Sequence, residues 1–247
     1  MKTICIKKVY FFFAAVPAFM VSLPVAFSTP KSFTYRAEIK MNENTVSGES
    51  TVSKMYDSLK LNLSGLSQDA FTYAVKGFEY LKAKGKISNQ DVISIADFTK
   101  PSSKKRLFIL DIKNYKVLFN TYVSHGQGSG TAMATQFSNV PESYQSSLGF
   151  YTTSTTYSGK NGFSLHLKGM ESGINDKAEE RAIVMHGAPY VSEGFINSRG
   201  FLGRSWGCPA IPEQLSKPII EKIKNGSCLF IFSENIKYLH SSKIINS

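Results

Sequence analysis

The chain has 247 residues, of which 42% are hydrophobic, and a formal net charge of +11; it is long enough to bury one sizeable core, and its charge suits an anionic surface. Nucleic acid is excluded as the expected partner, because the lysines are scattered and no helix-turn-helix, finger or basic-aromatic RNA motif occurs.

The first 28 residues, MKTICIKKVYFFFAAVPAFMVSLPVAFS, carry Lys2, Lys7 and Lys8 and then an uncharged apolar run from Val9 to Phe27. Ala26 and Ser28 supply the small residues a signal peptidase reads, so 1–28 reads as a cleavable export signal. The rival reading is an uncleaved membrane anchor, since the run approaches the length of a short spanning helix. Either way the protein works outside the cytoplasm. Cleavage would take three lysines and no acids with it, leaving +11 − 3 = +8.

Residues 29–50 are polar and without clear period, and read as a loose leader to a helical extension that runs to residue 89. A short helix is expected over 52–61. A longer one follows from 66, where Phe71, Ala74, Val75, Phe78 and Leu81 recur at helical spacing, Ser67 stands as the cap and Gly85 follows the end. From residue 90 the period becomes that of strands. DVISIADF, KRLFILDI, KVLFNTYVSHG, FSLHLKG, RAIVMHG and SCLFIFS are short, β-branched and aromatic, and separated by Asn, Gly, Pro and Ser clusters. One more helix is expected over 212–225, opened by Pro212 and closed by Gly226, with Pro218 as a kink or break. The predicted class is mainly β (α+β), with a catalytic domain at 90–235 and a polar tail at 236–247 in which His240 is solvated.

Two cysteines follow the leader. Cys228 lies in the apolar GSCLFIFS, where a thiol is a small hydrophobe, whereas Cys208 lies in the Gly-, Pro- and Trp-rich turn GRSWGCPAIP. An even pair in an oxidising compartment reads first as a disulfide, but these two contexts imply different depths. A nucleophilic thiol needs an imidazole beside it, because at its ordinary pKa it is mostly protonated. His125 and His186 each end an apolar strand in a His-Gly pair, while His166 alternates with Leu165 and Leu167 within a strand.

His186, then the 18 residues 187–204, then Ser205-Trp206-Gly207-Cys208 resembles the active-site signature of the YkuD-like L,D-transpeptidase catalytic domains of bacterial cell-wall enzymes. The common pattern has a slightly shorter spacer and Ser/Thr-His-Gly-Cys. Here Trp206 replaces the second histidine and Pro209 follows the cysteine, as in a divergent Ser-x-Gly-Cys-Pro branch. SHGQGSG (124–130), SNVPESYQSSLGFY (138–151), LKGMESGINDKAEERAIVMHG (167–187) and RSWGCPAIP are also similar to that branch, so the resemblance spans roughly 90–232.

The resemblance implies a YkuD-like β-sandwich and an acyl transfer on peptidoglycan stem peptides in the periplasm or cell-wall space. Cys208 would be the nucleophile and His186 its base, with the Gly187 carbonyl setting the ring tautomer. The N–H groups of Gly207 and Cys208 would form the oxyanion hole. Ser205 would support the site, Arg204 attract substrate carboxylates, His125 line the substrate groove and Trp206 stand at its mouth. A carbapenem adduct on Cys208 is implied as well, with no cofactor. Water in place of an acceptor amine would make the enzyme an L,D-carboxypeptidase, and a wall-binding module without chemistry is the non-enzymatic alternative. Sortase-type and papain-type readings fail, since no arginine follows Cys208 and the His precedes the Cys. A zinc peptidase fails for want of H-x-H or H-E-x-x-H.

Overall fold

In the computed structural model, which describes residues 45–247, the chain begins with α1 (Thr45–Ser58) and α2 (Leu61–Ser64). The export signal read over 1–28, and the leader up to residue 44, lie outside the described residues. Residues 45–50 are helical rather than loose: once a helix is anchored, each further residue adds a backbone bond for little extra ordering. The anchor is Tyr56, buried and donating its hydroxyl to the Leu66 carbonyl.

α3 (Gln68–Ala83) starts where its capping signal predicts, with Ser67 Oγ accepting from Ala70 N–H at 3.1 Å. It buries Ala70, Phe71, Ala74, Gly77, Phe78 and Leu81 against the sheet. The strands follow as β1 (Val92–Asp97), β2 (Leu107–Asp111), β3 (Lys116–Thr121), β4 (Gly149–Gly159), β5 (Gly162–Gly169) and β6 (Val184–Ala188). After α4 (Glu193–Arg199) come β7 (Ala210–Pro212), α5 (Glu213–Ile223), β8 (Cys228–Phe232) and α6 (Ile236–Ser241).

All eight strands join one mixed sheet in the order β3-β2-β1-β8-β4-β5-β6-β7. Pairing is parallel at β1–β8 and β6–β7 and antiparallel elsewhere. Every residue of β1, β2 and β8 is buried, which is why these segments read as apolar runs rather than alternations. The α+β class and sandwich-like architecture expected from the sequence are those of the protein. Of the two unforeseen members, β7 and β4, β4 is the longer. Its second half, TSTTYSG, is largely exposed and so lacks an apolar period, yet β4 links β8 to β5 through a bulge between Thr153 and Thr156. Pro218 does not break α5, because Ile219, Ile220 and Ile223 are fully buried and hold the helix in place.

The segment 236–247 is not a free polar tail. Tyr238, Ser242, Ile244 and Ile245 are buried, and the Tyr238 and Ser242 hydroxyls both donate to the buried Glu171 carboxylate. Widely spaced apolar residues in a polar stretch conceal such packing. His240 is exposed, as expected. No described helix is long and apolar enough to cross a membrane.

α3 lies close against the sheet at Gly77. A Cβ there would lie 2.0 Å from Cζ of Phe150, whose ring is stacked on Phe230 at 4.1 Å and has little room to yield. Alanine would gain about 1 kcal/mol of helix propensity, but overpacking a filled core costs about 1–3 kcal/mol. Gly77→Ala should therefore lower the urea midpoint. A raised midpoint would mean that α3 sits more loosely than this packing requires.

Candidate active site

β6 delivers His186. Burial on the sheet leaves its side chain 5% exposed, and Nδ1 lies 2.8 Å from the Gly187 carbonyl oxygen. A carbonyl only accepts, so Nδ1 carries the proton and Nε2 presents its lone pair. Parallel pairing then sets the register of the facing turn: His186 is opposite Ala210 and Gly187 opposite Ile211, so Cys208 enters two residues earlier, beside Val184. The Val184 N–H donates to Cys208 Sγ at 3.5 Å, and Sγ lies 3.9 Å from the Ala182 carbonyl oxygen. No hydrogen bond joins the ring to the thiol among the described residues. Cys208 and Cys228 are both free, with Cys228 wholly buried in β8, so the disulfide between them does not form.

The turn before Cys208 is held by hydroxyls. Ser205 Oγ accepts from Gly207 N–H at 3.1 Å and donates to the Cys208 carbonyl at 2.6 Å, bracing both sides of the thiol-bearing residue. Ser146 Oγ donates to the Gly207 carbonyl at 3.2 Å and accepts from Gly126 N–H at 3.0 Å, tying the turn to the 126–129 segment. Gly207 sits at φ +126°, where a Cβ would approach Gln145 O to 2.8 Å and Arg181 Nη2 to 3.2 Å, so only glycine fits.

Arg181 is the site residue that the sequence concealed. Its Nη1 donates to Ser138 O at 2.8 Å and Ser147 Oγ at 2.6 Å, and its Nη2 donates to Gln145 O at 2.6 Å, while Nε is buried without an acceptor. Its charge favours the Cys208 thiolate, as do the Val184 and Cys208 N–H groups, but burial outweighs all three and pushes the thiol pKa up. Burial likewise pushes the His186 pKa down, against the Gly187 hydrogen bond. The resting pair is thus neutral thiol and neutral imidazole. An arginine ahead of an apolar strand reads as an ordinary flank, so only the fold shows what it faces. Burial also pushes the Tyr190 phenol up to about 12, with the Cys208 charge as a second cause, so another protonated hydroxyl lies within electrostatic reach of the thiol.

The structure corrects two of the expected roles. Gly207 N–H is committed to Ser205 Oγ at 3.1 Å; of the two expected oxyanion donors only Cys208 N–H, which faces its own sulfur, is left. His125 lines no groove. It is 0% exposed, with Nδ1 2.7 Å from Arg106 Nη2 and Nε2 3.3 Å from the Gly130 carbonyl. Guanidinium only donates, so His125 accepts at Nδ1 and is neutral, and burial with the Arg106 charge holds its pKa down at about 4. It serves the buried Arg106, whose other donors go to Val123 O and Lys100 O. Arg204 is exposed, tethered through Nη1 to Gly130 O at 3.1 Å. Trp206 is 70% exposed and meets Tyr144 edge-on, with ring centroids 5.7 Å apart. No group of three His, Cys, Asp or Glu among the described residues could hold a metal ion.

The neutral resting pair has a measurable consequence. In substrate-free protein, iodoacetamide labelling of Cys208, followed by peptide mapping, should rise with pH along a curve whose midpoint lies above that of a free cysteine. Arg181→Gln should move the midpoint further up and Arg181→Lys should move it back down, since lysine restores the charge. A midpoint near neutrality would instead indicate a preformed thiolate–imidazolium pair.

A family model described as the L,D-transpeptidase catalytic domain matches residues 62–232. Among solved structures the chain is similar to an L,D-transpeptidase from Mycobacterium smegmatis, at 12% identity over 58% of this chain and 59% of that chain, with a TM-score of 0.36. It is similar to LD transpeptidase LdtMt1 in complex with imipenem, at 14% identity over 57% and 59%, with a TM-score of 0.35. It is also similar to the helical cell shape determining protein Pgp2 from Campylobacter jejuni, at 12% identity over 69% and 59%, with a TM-score of 0.38. The chain thus spans less than two thirds of the length of each of these structures. No curated protein matches. With the family model covering well over half of its residues, the chain belongs to the YkuD-type L,D-transpeptidase catalytic domain family.

Proposed function

We propose that the protein is an exported acyltransferase acting on peptidoglycan stem peptides, with Cys208 as nucleophile and His186 as base. The observation that carries this reading is the facing of two elements: a thiol on a braced turn, and one strand away a histidine whose Nδ1 proton is held by Gly187 O, leaving Nε2 to accept. Because both groups rest neutral, the proton moves as the bond forms. Sγ attacks the carbonyl between the L-centre of the stem's diamino acid and the terminal D-alanine, and Nε2 takes the thiol proton. Cys208 N–H donates to the developing oxyanion. The imidazolium then protonates the departing amine, free D-alanine leaves, and a thioester remains on Cys208. The side-chain amine of a second stem attacks this thioester, His186 takes its proton, and the crosslink forms as the thiol is restored. Water in the same role would give the trimmed stem instead.

Support comes from the family membership, from the net positive charge that suits an anionic wall, and from the export signal read over 1–28. The same chemistry extends to strained acyl donors. LdtMt1 is recorded in complex with imipenem, and a carbapenem should acylate Cys208 here as a stable thioester.

Incubating the purified chain with tetrapeptide stems, followed by liquid chromatography and mass spectrometry, should yield crosslinked dimers and free D-alanine. Cys208→Ala should abolish both, and His186→Ala should slow both by roughly 10²–10⁴-fold, the range for loss of a general base. Cys228→Ala should keep activity and lose about 1 kcal/mol of stability, as for a small buried truncation. Trimmed monomers without dimers would assign the carboxypeptidase reaction, and product formation by Cys208→Ala would overturn the proposal.

A further inference from the structure

Two aromatic side chains stand in solvent beside the thiol, and neither supports the core. Trp206 is 70% exposed and Tyr144 is 42% exposed, with their rings 5.7 Å apart at an interplanar angle of 60°. Trp206 precedes Cys208 by two residues, so its backbone lies within about 7 Å of the nucleophile's. Tyr144 is held out at some conformational expense. Its φ of +54° is in the left-handed region, as is that of Glu142 at +59°. The loop is locked in this state from several sides. Gly128 N–H donates to Tyr144 O at 2.9 Å, Arg181 Nη2 donates to Gln145 O at 2.6 Å, and Gly126 approaches so closely that a Cβ would lie 2.3 Å from Tyr144 O. Strained backbone that serves no burial, fixed by a buried network, marks a surface kept for a ligand.

The pair is too small for a protein partner, which needs several hundred square ångströms of contact. Its surroundings are polar, with Glu142, Ser143, Gln145 and Arg204 close by in sequence. A ligand that fits is water-soluble and hydroxyl-rich, yet offers a flat face of C–H groups to the electron-rich face of an aromatic ring. A hexopyranose has this character. We propose that Trp206 and Tyr144 form a stacking platform for a sugar ring of the glycan strand, so that the enzyme reads the stem together with the sugar that bears it. This rests on the stem-peptide reading above. Geometry agrees, because the three stem residues between the sugar and the attacked carbonyl span roughly 10 Å when extended, enough to reach from Cys208 to the platform.

Trp206 is the only tryptophan in the chain, so its emission reports the platform directly. The test uses the full chain carrying Cys208→Ala, which binds without turnover. It is titrated with three ligands: a disaccharide-tetrapeptide, the tetrapeptide alone and the disaccharide alone. Both sugar-bearing ligands should shift Trp206 emission to the blue, and the disaccharide-tetrapeptide should bind about tenfold more tightly than the bare peptide. Adding Trp206→Ala, or separately Tyr144→Ala, should remove most of that advantage by calorimetry. Equal affinity for peptide with and without sugar, or an advantage that survives both substitutions, would overturn the platform and leave the stem-peptide reading intact. Binding of the disaccharide by a protein that processes no stem would do the reverse.

Discussion

The candidate site depends on the three residues of parallel pairing between β6 and β7. That short ladder sets His186 opposite Ala210 and so fixes where the preceding turn brings its thiol, two residues earlier and against the Val184 N–H. A slip of one residue would turn the His186 side chain to the other face of the sheet, because side chains alternate along a strand. So short a pairing does not hold register alone. Ser205 supplies the rest, with one hydroxyl that accepts from Gly207 and donates to Cys208 across the turn. Ser146 anchors the same turn to the 138–147 loop, which Arg181 holds in its turn through Ser138, Ser147 and Gln145. Cys208, His186 and the exposed aromatic pair are therefore one mechanical unit, though they come from three separate stretches of chain.

Electrostatically, burial governs the site. Desolvation raises the Cys208 pKa and lowers that of His186, and in each case it is the largest contribution, ahead of Arg181 for the thiol and Gly187 for the ring. Both shifts favour the uncharged pair, and a protonated thiol is a poor target for stray oxidants and electrophiles. Under the proposed mechanism, reactivity appears only when an acyl donor sits where proton transfer and attack can coincide. Arg181 limits the penalty by lowering the cost of the thiolate.

Much of this organisation was legible in the residues, and the failures have physical causes. Buried strands announce themselves as β-branched runs, and α3 shows both its stripe and its cap. β4 was hidden because half of it faces solvent, and β7 because three residues carry no period. α6 escaped because its buried residues are too few to form a stripe. The site divides in the same way. The pairing of IVMHG with SWGC could be read along the chain, but the two His-Gly pairs look alike and meet different fates. His186 ends a strand beside the thiol, whereas His125 meets the buried Arg106 guanidinium and is absorbed into the core. What a side chain does after the chain has folded depends on neighbours far away in sequence, and Arg181, which meets Ser138, Ser147 and Gln145, illustrates the same limit.

The central claim is that Cys208 carries the acyl group, and trapping the intermediate tests it most directly. Wild-type protein mixed with tetrapeptide stem and quenched in acid within its first turnovers should gain the mass of the stem less D-alanine. Proteolysis should place that mass on the peptide containing Cys208, as an adduct released by hydroxylamine. Free D-alanine accumulating with no such adduct, or an adduct mapped to any other residue, would contradict the account.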